Sequence, residues 1–342
     1  MAELRQDIVT GNWVVVASER ALRPTSFKKA CTVEPAGEPK DCPFCPGHEL
    51  MTPLEVLSIR EPGSAPDTPG WQVRVFPNKY PAFETGDAVG PSEPMFQRRP
   101  GDGTHEVIID TPDHWKSIAT MSEEEVALLL RVYRHRYMVS AEDPHVRYVH
   151  IIVNHGREAG ASLEHSHSQL FGVPIVPPLP QQEQAGASWY SSRHEGCVFC
   201  DTLERELAVG ERIIFEDNNF VAIAPWASRL PFEAWLIPRL HQESFGMITD
   251  EGIDAFSVAL HRLLGYYIER FGDIPYNFYI HSSPTDGSSH QYYHWHLEIV
   301  PKLILTGAFE LGTATMINVT TPEHAASLLV GKAEVGLADL HS

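Results

Sequence analysis

The strongest constraint on this chain of 342 residues is that it is written twice. Each half opens on a Cys-x-x-Cys knuckle, "DCPFCPG" with Cys42 and Cys45, then "GCVFCD" with Cys197 and Cys200. In the first half a short apolar strand in "GTHEVIIDTPDHWKSI" ends in Pro112 and His114. In the second, "LPFEAWLIPRLHQESF" ends in Pro238 and His241. The interval from Glu106 to His114 equals that from Glu233 to His241. Apolar residues at helical spacing follow in "MSEEEVALLLRVYRHRYM" and "TDEGIDAFSVALHRLLGYYIERF". Each helical pattern leads to a strand ("RYVHIIVN", "YNFYIHSS"), then a Gly- or Ser-rich loop. The closing strand carries His-x-His and ends in Val-Pro, "EHSHSQLFGVPIVP" and "YYHWHLEIVPKL". Identity between the halves is thin, but the order of elements and of ligand-type residues agrees throughout.

The repeat assigns metal ligands. In a reducing compartment, paired Cys-x-x-Cys motifs in Pro- and Phe-containing loops read as metal knuckles rather than disulfides or a redox dithiol. His48 and His105 compete for the first site, but neither has a counterpart in the second half. The aligned sets are Cys42, Cys45, His114 and His165, and Cys197, Cys200, His241 and His294. Cys2His2 is the closed tetrahedral composition of structural Zn2+, with iron the other candidate at the second site. The alternative is that these histidines only pack or face solvent; agreement between the halves favours metal. Each metal would tie a knuckle to a distant strand, so its loss should loosen the fold.

Composition excludes several function classes. A formal charge of −19 argues against a general nucleic-acid binder, which needs a basic footprint. A few local donors can still hold an anionic small molecule. No apolar run reaches the length of a membrane span. The opening "MAELRQDIVTG" has charges where a signal peptide would be apolar, so a cytoplasmic protein is expected. The expected fold class is α+β: two similar domains, each an antiparallel sheet packed by helices. Residues 1–178 form the first and 195–342 the second. Residues 179–194 are read as the linker, within "VPPLPQQEQAGASWYSSRHEG", whose Pro, Gln and Ser content suits a domain connection.

Residues two apart on a strand share a face. In the second half Trp295, Leu297 and Ile299 form the core face, leaving His294, His296 and Glu298 on the other. By the repeat, His165, His167 and Gln169 share one face. With His165 given to metal, His167 is an imidazole free for chemistry and Gln169 an amide donor beside it. Gly156, Gly160 and Ser162 upstream could approach phosphate oxygens closely. That set suits attack by a neutral imidazole on a phosphoryl group; the competing reading is a structural histidine beside a metal ligand. Glu298, which replaces the glutamine in the second half, would repel a phosphate. One active half and one scaffolding half are expected.

These residues resemble the galactose-1-phosphate uridylyltransferase branch of the histidine-triad superfamily, in its short prokaryotic form, over nearly the whole chain. The motifs are "RQDIVTGNWVVVASERALRP", "CPFCPG", "FPNKYPAF", "TPDH", "VNHGREAGASLEHSHSQ" and "HWHLEIVPKL...GAFELGTATMIN". The resemblance implies two tandem histidine-triad-like domains, the first catalytic. It makes His167 the nucleophile on a UDP-sugar, with Gln169 holding a phosphoryl oxygen. Asn154, Gly160, Ala161 and Ser162 would line the phosphate site and Asn78 would neighbour the uridine. Arg20 and Arg23 would reach nucleotide-sugar across a dimer interface, which implies a homodimer. The implied reaction moves UMP from UDP-glucose to galactose 1-phosphate by ping-pong through uridylyl-His167. An amide at position 169 cannot act as the acid that hydrolytic relatives use, which favours transfer. The second Cys-x-x-Cys site is more similar to the plant ADP-glucose enzymes. The alternative is therefore an ADP-sugar phosphorylase or adenylyltransferase with the same His167 chemistry.

Overall fold

The computed structural model describes residues 2–22, 39–86 and 95–332. In chain order the elements are β1 (Glu3–Gln6), β2 (Trp13–Val16), β3 (Leu57–Arg60), β4 (Trp71–Pro77), β5 (Thr104–Ile109), α1 (Glu123–Ala141), β6 (Tyr148–His155) and β7 (His167–Val173). Then come α2 (Pro178–His194), α3 (Val198–Val209), β8 (Ile213–Glu216), β9 (Phe220–Ile223), β10 (Ala234–Pro238), α4 (Asp250–Phe271), β11 (Tyr276–His281) and β12 (His296–Pro301). The last are α5 (Ala308–Thr313), β13 (Ile317–Asn318) and α6 (Pro322–Leu329).

The expected α+β class holds, with one addition: the two half-sheets are continuous. Ten strands run in the order β3-β4-β5-β7-β6-β11-β12-β10-β9-β8, which reads as the same five-strand unit forwards and then backwards. The seam is the antiparallel pair β6–β11, with Tyr276 opposite His155 and Ile280 opposite Ile151.

Both long helices lie on one face of this sheet. The Ser122 hydroxyl accepts from the Glu125 amide at the start of α1, and the Glu125 carboxylate accepts from the Ser122 amide, closing a capping box. Thr249 caps α4 in the simpler way. Leu129, Leu130 and Tyr133 of α1 join Phe256, Leu260 and Leu263 of α4 in one core with Val149, Ile151, Leu170, Phe278, Leu297 and Ile299. Trp295, fully buried, sits edge-on to Phe245 and Phe256. The core face read from Trp295, Leu297 and Ile299 is therefore the observed one. The opposite face of β12 is buried too, because another layer covers it.

That layer includes α2, which occupies the segment read as a linker. Pro178 and Pro180 sit in its first turn, where a missing N–H costs nothing. Its buried face presents Glu183, Gln184 and Ala187 to the second half. The N-terminal strands lie with the C-terminal ones rather than with the rest of residues 1–178: β2 pairs with β1 and, in parallel, with β13. Arg5 of β1 pairs with Glu323 of α6 at 2.8 Å. No helix among the described residues is long and apolar enough to cross a membrane.

Gly186 of α2 lies where a Cβ would overlap the backbone carbonyl of Val9. Gly186→Ala is therefore expected to push the Val9 turn off α2. The cost should be about 1–3 kcal/mol, as for an overpacked core, read as a lower melting temperature. An unchanged melting temperature would show that the two segments do not touch in solution.

Candidate active site and metal-binding sets

The first knuckle is seated by Phe44, which packs on Phe76 and stands edge-on to His167 with ring centroids 5.2 Å apart. This brings Cys42 and Cys45 to His114, just beyond β5, and His165, just before β7. Nδ1 of His165 lies 3.7 and 3.6 Å from the two sulfurs, and Nδ1 of His114 lies 3.3 Å from Cys45 Sγ. All four donor atoms fall within 4.8 Å of one another. Tetrahedral bonds of about 2.0–2.3 Å place ligand atoms about 3.3–3.8 Å apart, so the set fits a divalent cation. His165 Nε2 donates to the Thr111 carbonyl at 2.8 Å, which leaves the Nδ1 lone pair facing the sulfurs. Burial and the neighbouring Cys42 push the Cys45 thiol up to about 12, a cost that a cation would relieve.

The second set repeats the first. Cys200 Sγ lies 3.3 Å from His241 Nδ1 and 3.5 Å from His294 Nδ1. Cys197 completes the group of four. His241 Nε2 donates to the Gln291 carbonyl at 2.9 Å. The structure thus brings together all eight residues that the repeat aligned.

Next to the first set, His167 Nδ1 donates to the His165 carbonyl at 2.8 Å, which places the free lone pair on Nε2. Burial lowers the pKa of His167, keeping the ring neutral. No hydrogen bond among the described residues engages Nε2. Gln169 lies two residues along β7 on the same face, its Oε1 2.8 Å from His105 Nε2. Asn78 Nδ2 is 3.1 Å from the same His105 nitrogen. Asn154 of β6 stands opposite Asn277 of β11. Gly156 and Gly160 adopt φ of 81° and 93°, the left-handed values that let the chain turn tightly before His165. The turn uses its own amides: Gly160 N–H donates to the Arg157 carbonyl and Ala161 N–H to that of Gly156. Ser162, next in the chain, is exposed. Arg20 lies in the 3₁₀ turn Ser18–Leu22 after β2, and Arg23 falls outside the described residues.

In the second half, His296 Nδ1 donates to the His294 carbonyl at 3.1 Å and Phe199 stands where Phe44 does. There the likeness ends. His296 is fully buried, with Nε2 3.4 Å from Glu298 Oε1. Glu183 of α2 accepts from His281 Nδ1 at 2.9 Å and from the Tyr293 hydroxyl at 2.7 Å. Glu183, His281, His296 and Glu298 form a third group with metal-competent donors. Arg229, which contacts Glu298 and is 2.7 Å from Glu233, supplies positive charge there. His281 adds to it: burial opposes its protonation, but Glu183 and Glu298 outweigh that and raise its pKa. Sequence reasoning missed Glu183 and His281 because neither lies in a Cys or His-x-His motif.

Beside β7, Asp110 accepts from Ser166 Oγ at 2.8 Å and Ser168 Oγ at 2.6 Å. Burial raises its pKa to about 7 against those hydrogen bonds.

Residues 1–177 match the family model "Galactose-1-phosphate uridyl transferase, N-terminal domain" and residues 183–341 its C-terminal domain. The chain is 33% identical to ADP-glucose phosphorylase of Arabidopsis thaliana over 96% of its own length and 92% of that protein. It is 27% identical to galactose-1-phosphate uridylyltransferase of Thermotoga maritima, over 96% and 98% of the two chains. The crystal structure of an Arabidopsis thaliana ADP-glucose phosphorylase with bound ADP-glucose superposes with a TM-score of 0.81 at 31% identity. That match covers 98% of this chain and all of the other.

The Asp110 carboxyl binds its proton more tightly folded than unfolded, where a value of about 3.9 is ordinary. Its contribution is therefore complete below about pH 4 and is lost as pH rises through about 7. Asp110→Asn should melt higher than the parent protein at pH 8, with the gap closing toward pH 4. Equal melting temperatures at pH 8 would contradict a buried carboxylate here.

Proposed function

The chain belongs to the galactose-1-phosphate uridyl transferase family, and we propose that it transfers a nucleotidyl group through a covalent nucleotidyl-His167 intermediate. The observation that carries this reading is His167 itself: neutral, oriented through Nδ1, and with Nε2 unengaged. Nε2 attacks the α-phosphorus of a nucleotide-hexose. The bond from that phosphorus to the bridging oxygen breaks, and hexose 1-phosphate leaves with the electron pair. An oxygen of the acceptor phosphate then attacks the same phosphorus, the P–N bond breaks, and neutral imidazole returns. Gln169 and Asn154 donate to phosphoryl oxygens, Gly160, Ala161 and Ser162 border them, and Asn78 neighbours the base. Hexose 1-phosphate needs no acid to depart, so an amide at position 169 suffices.

ADP-glucose is the first donor to test, with inorganic phosphate as acceptor, giving ADP and glucose 1-phosphate. The 33% relative and the second Cys2His2 set support it. The second reading is UMP transfer from UDP-glucose to galactose 1-phosphate, supported by the Thermotoga maritima relative. In either reading Zn2+ occupies both Cys2His2 sets, with iron the alternative at the second. It braces the knuckles against the sheet and takes no part in the transfer. Arg20 and Arg23 serve a partner subunit's nucleotide in a homodimer.

Incubation with each nucleotide-sugar labelled in its α-phosphate should leave label on the parent protein and none on His167→Ala. Exchange should fall by more than about a thousandfold in that variant, with zinc content unchanged. His165→Ala should lose about half of the zinc. Full exchange in both variants would defeat the assignment, and label from UDP-glucose alone would select the second reading.

A further inference from the structure

A carboxamide has two ends of nearly equal shape and opposite polarity, and only its NH2 end can serve a phosphate oxygen. Gln169 and Asn154 both depend on that choice. Each can be traced to a backbone group whose polarity is fixed. The Ala82 N–H donates to His105 Nδ1 at 3.1 Å, so in the neutral ring the proton sits on Nε2. That nitrogen lies 2.8 Å from Gln169 Oε1 and 3.1 Å from Asn78 Nδ2. Asn78 is itself fixed, because its Oδ1 accepts from the Tyr80 amide at 2.9 Å. Of the two neighbours only Gln169 offers an acceptor, so the ring proton goes to Oε1. His105 is held in place by stacking on Phe171, with ring centroids 4.0 Å apart.

The Ala159 carbonyl can only accept. It lies 2.8 Å from Asn277 Nδ2, so that end of Asn277 is its NH2. The same NH2 is 2.7 Å from Asn154, whose facing atom is therefore Oδ1. Gln169 Nε2 and Asn154 Nδ2 are left without a hydrogen-bond partner among the described residues, and both side chains are half-buried on the face that carries His167.

We propose that His105 and Asn277 are positioning residues that lock Gln169 and Asn154 with their NH2 groups toward the substrate phosphates. This rests on the nucleotidyl-transfer reading given above. Asn277 comes from β11, so the half without a nucleophile sets the donor geometry of the half that has one. The same contact fixes the Ala159 carbonyl and with it the turn leading to His165.

The test is a set of mutant cycles read as kcat/KM for transfer from ADP-glucose and from UDP-glucose, with melting temperature and zinc content as controls. Asn277→Ala should lower kcat/KM about tenfold, the scale of one hydrogen bond to a charged group. Asn277→Asp should cost about a hundredfold, because an acceptor-only carboxylate draws the Asn154 NH2 round and turns its oxygen to the phosphate. In an Asn154→Ala background the gap between Asn277→Asp and Asn277→Ala should close. His105→Ala should lose about tenfold and His105→Gln, which keeps an N–H near the ring Nε2, should recover most of it. The His105→Ala loss should vanish in a Gln169→Ala background. The His105 variants should keep the parent melting temperature and zinc content; the Asn277 variants, which also release the Ala159 carbonyl, should melt lower but keep the parent zinc content. Asn277→Asp no worse than Asn277→Ala, or losses that add across either cycle, would overturn the proposal. A parent protein that transfers from neither donor would instead overturn the reading of function.

Discussion

Along the seam between β6 and β11, backbone hydrogen bonds join two strands from different halves of the chain, with Asn277 set opposite Asn154. Ladder bonds are directional and their register is fixed by the side chains buried on one face. Here Val153 and Phe278, and Ile151 and Ile280, face the shared core. A slip of one residue would turn those apolar groups outward and the asparagines inward. The register that buries the core is therefore also the register that aligns the site, and β7 on one side and β12 on the other inherit their positions from it.

The two halves place two similarly anchored imidazoles in different surroundings. His167 and His296 share the bond from Nδ1 to the carbonyl two residues back, the adjacent Cys2His2 set and the knuckle phenylalanine. They differ in what lies over Nε2. Above His296 are Glu298 and the carboxylate of Glu183, which α2 delivers. Buried carboxylates are tolerable only with nearby positive charge, and Arg229 and His281 provide it. A histidine sealed in this way can brace a sheet, but no phosphate could displace that network.

Both Cys2His2 groupings, the shared face of His167 and Gln169 and the core face of β12 were legible from the chain, because a repeat with metal-type ligands constrains spacing in two places at once. Other parts were hidden for definite reasons. Residues 178–194 contain proline, glycine and three glutamines, a composition suited to a linker, yet tertiary contacts around Glu183 and Ala187 make them helical. His105 had been weighed only as a ligand. Its hydrogen bond to Gln169 depends on the pairing of β5 with β7, which places His105 diagonal to Gln169 across the ladder. The glycines of the 156–162 turn were legible, but not that the Gly160 and Ala161 amides would close on their own turn. Contacts of this kind follow from register, and a sequence does not display register.

The small sheet of β1, β2 and β13 has a consequence for how the molecule comes into being. Its central strand is completed by residues near the far end of the chain, and Arg5 meets Glu323, 318 positions away. During synthesis β1 and β2 can pair with each other early, but β2 must wait for all the residues up to β13 before its second partner exists. So long a loop also makes this closure a late and slow event once the chain is free. The Val9 turn, which docks on α2 over the second half, lies between those same strands. Docking of that turn beside the His296 charge network would thus come among the last steps of folding, and a chain lacking β13 would leave the network open to water.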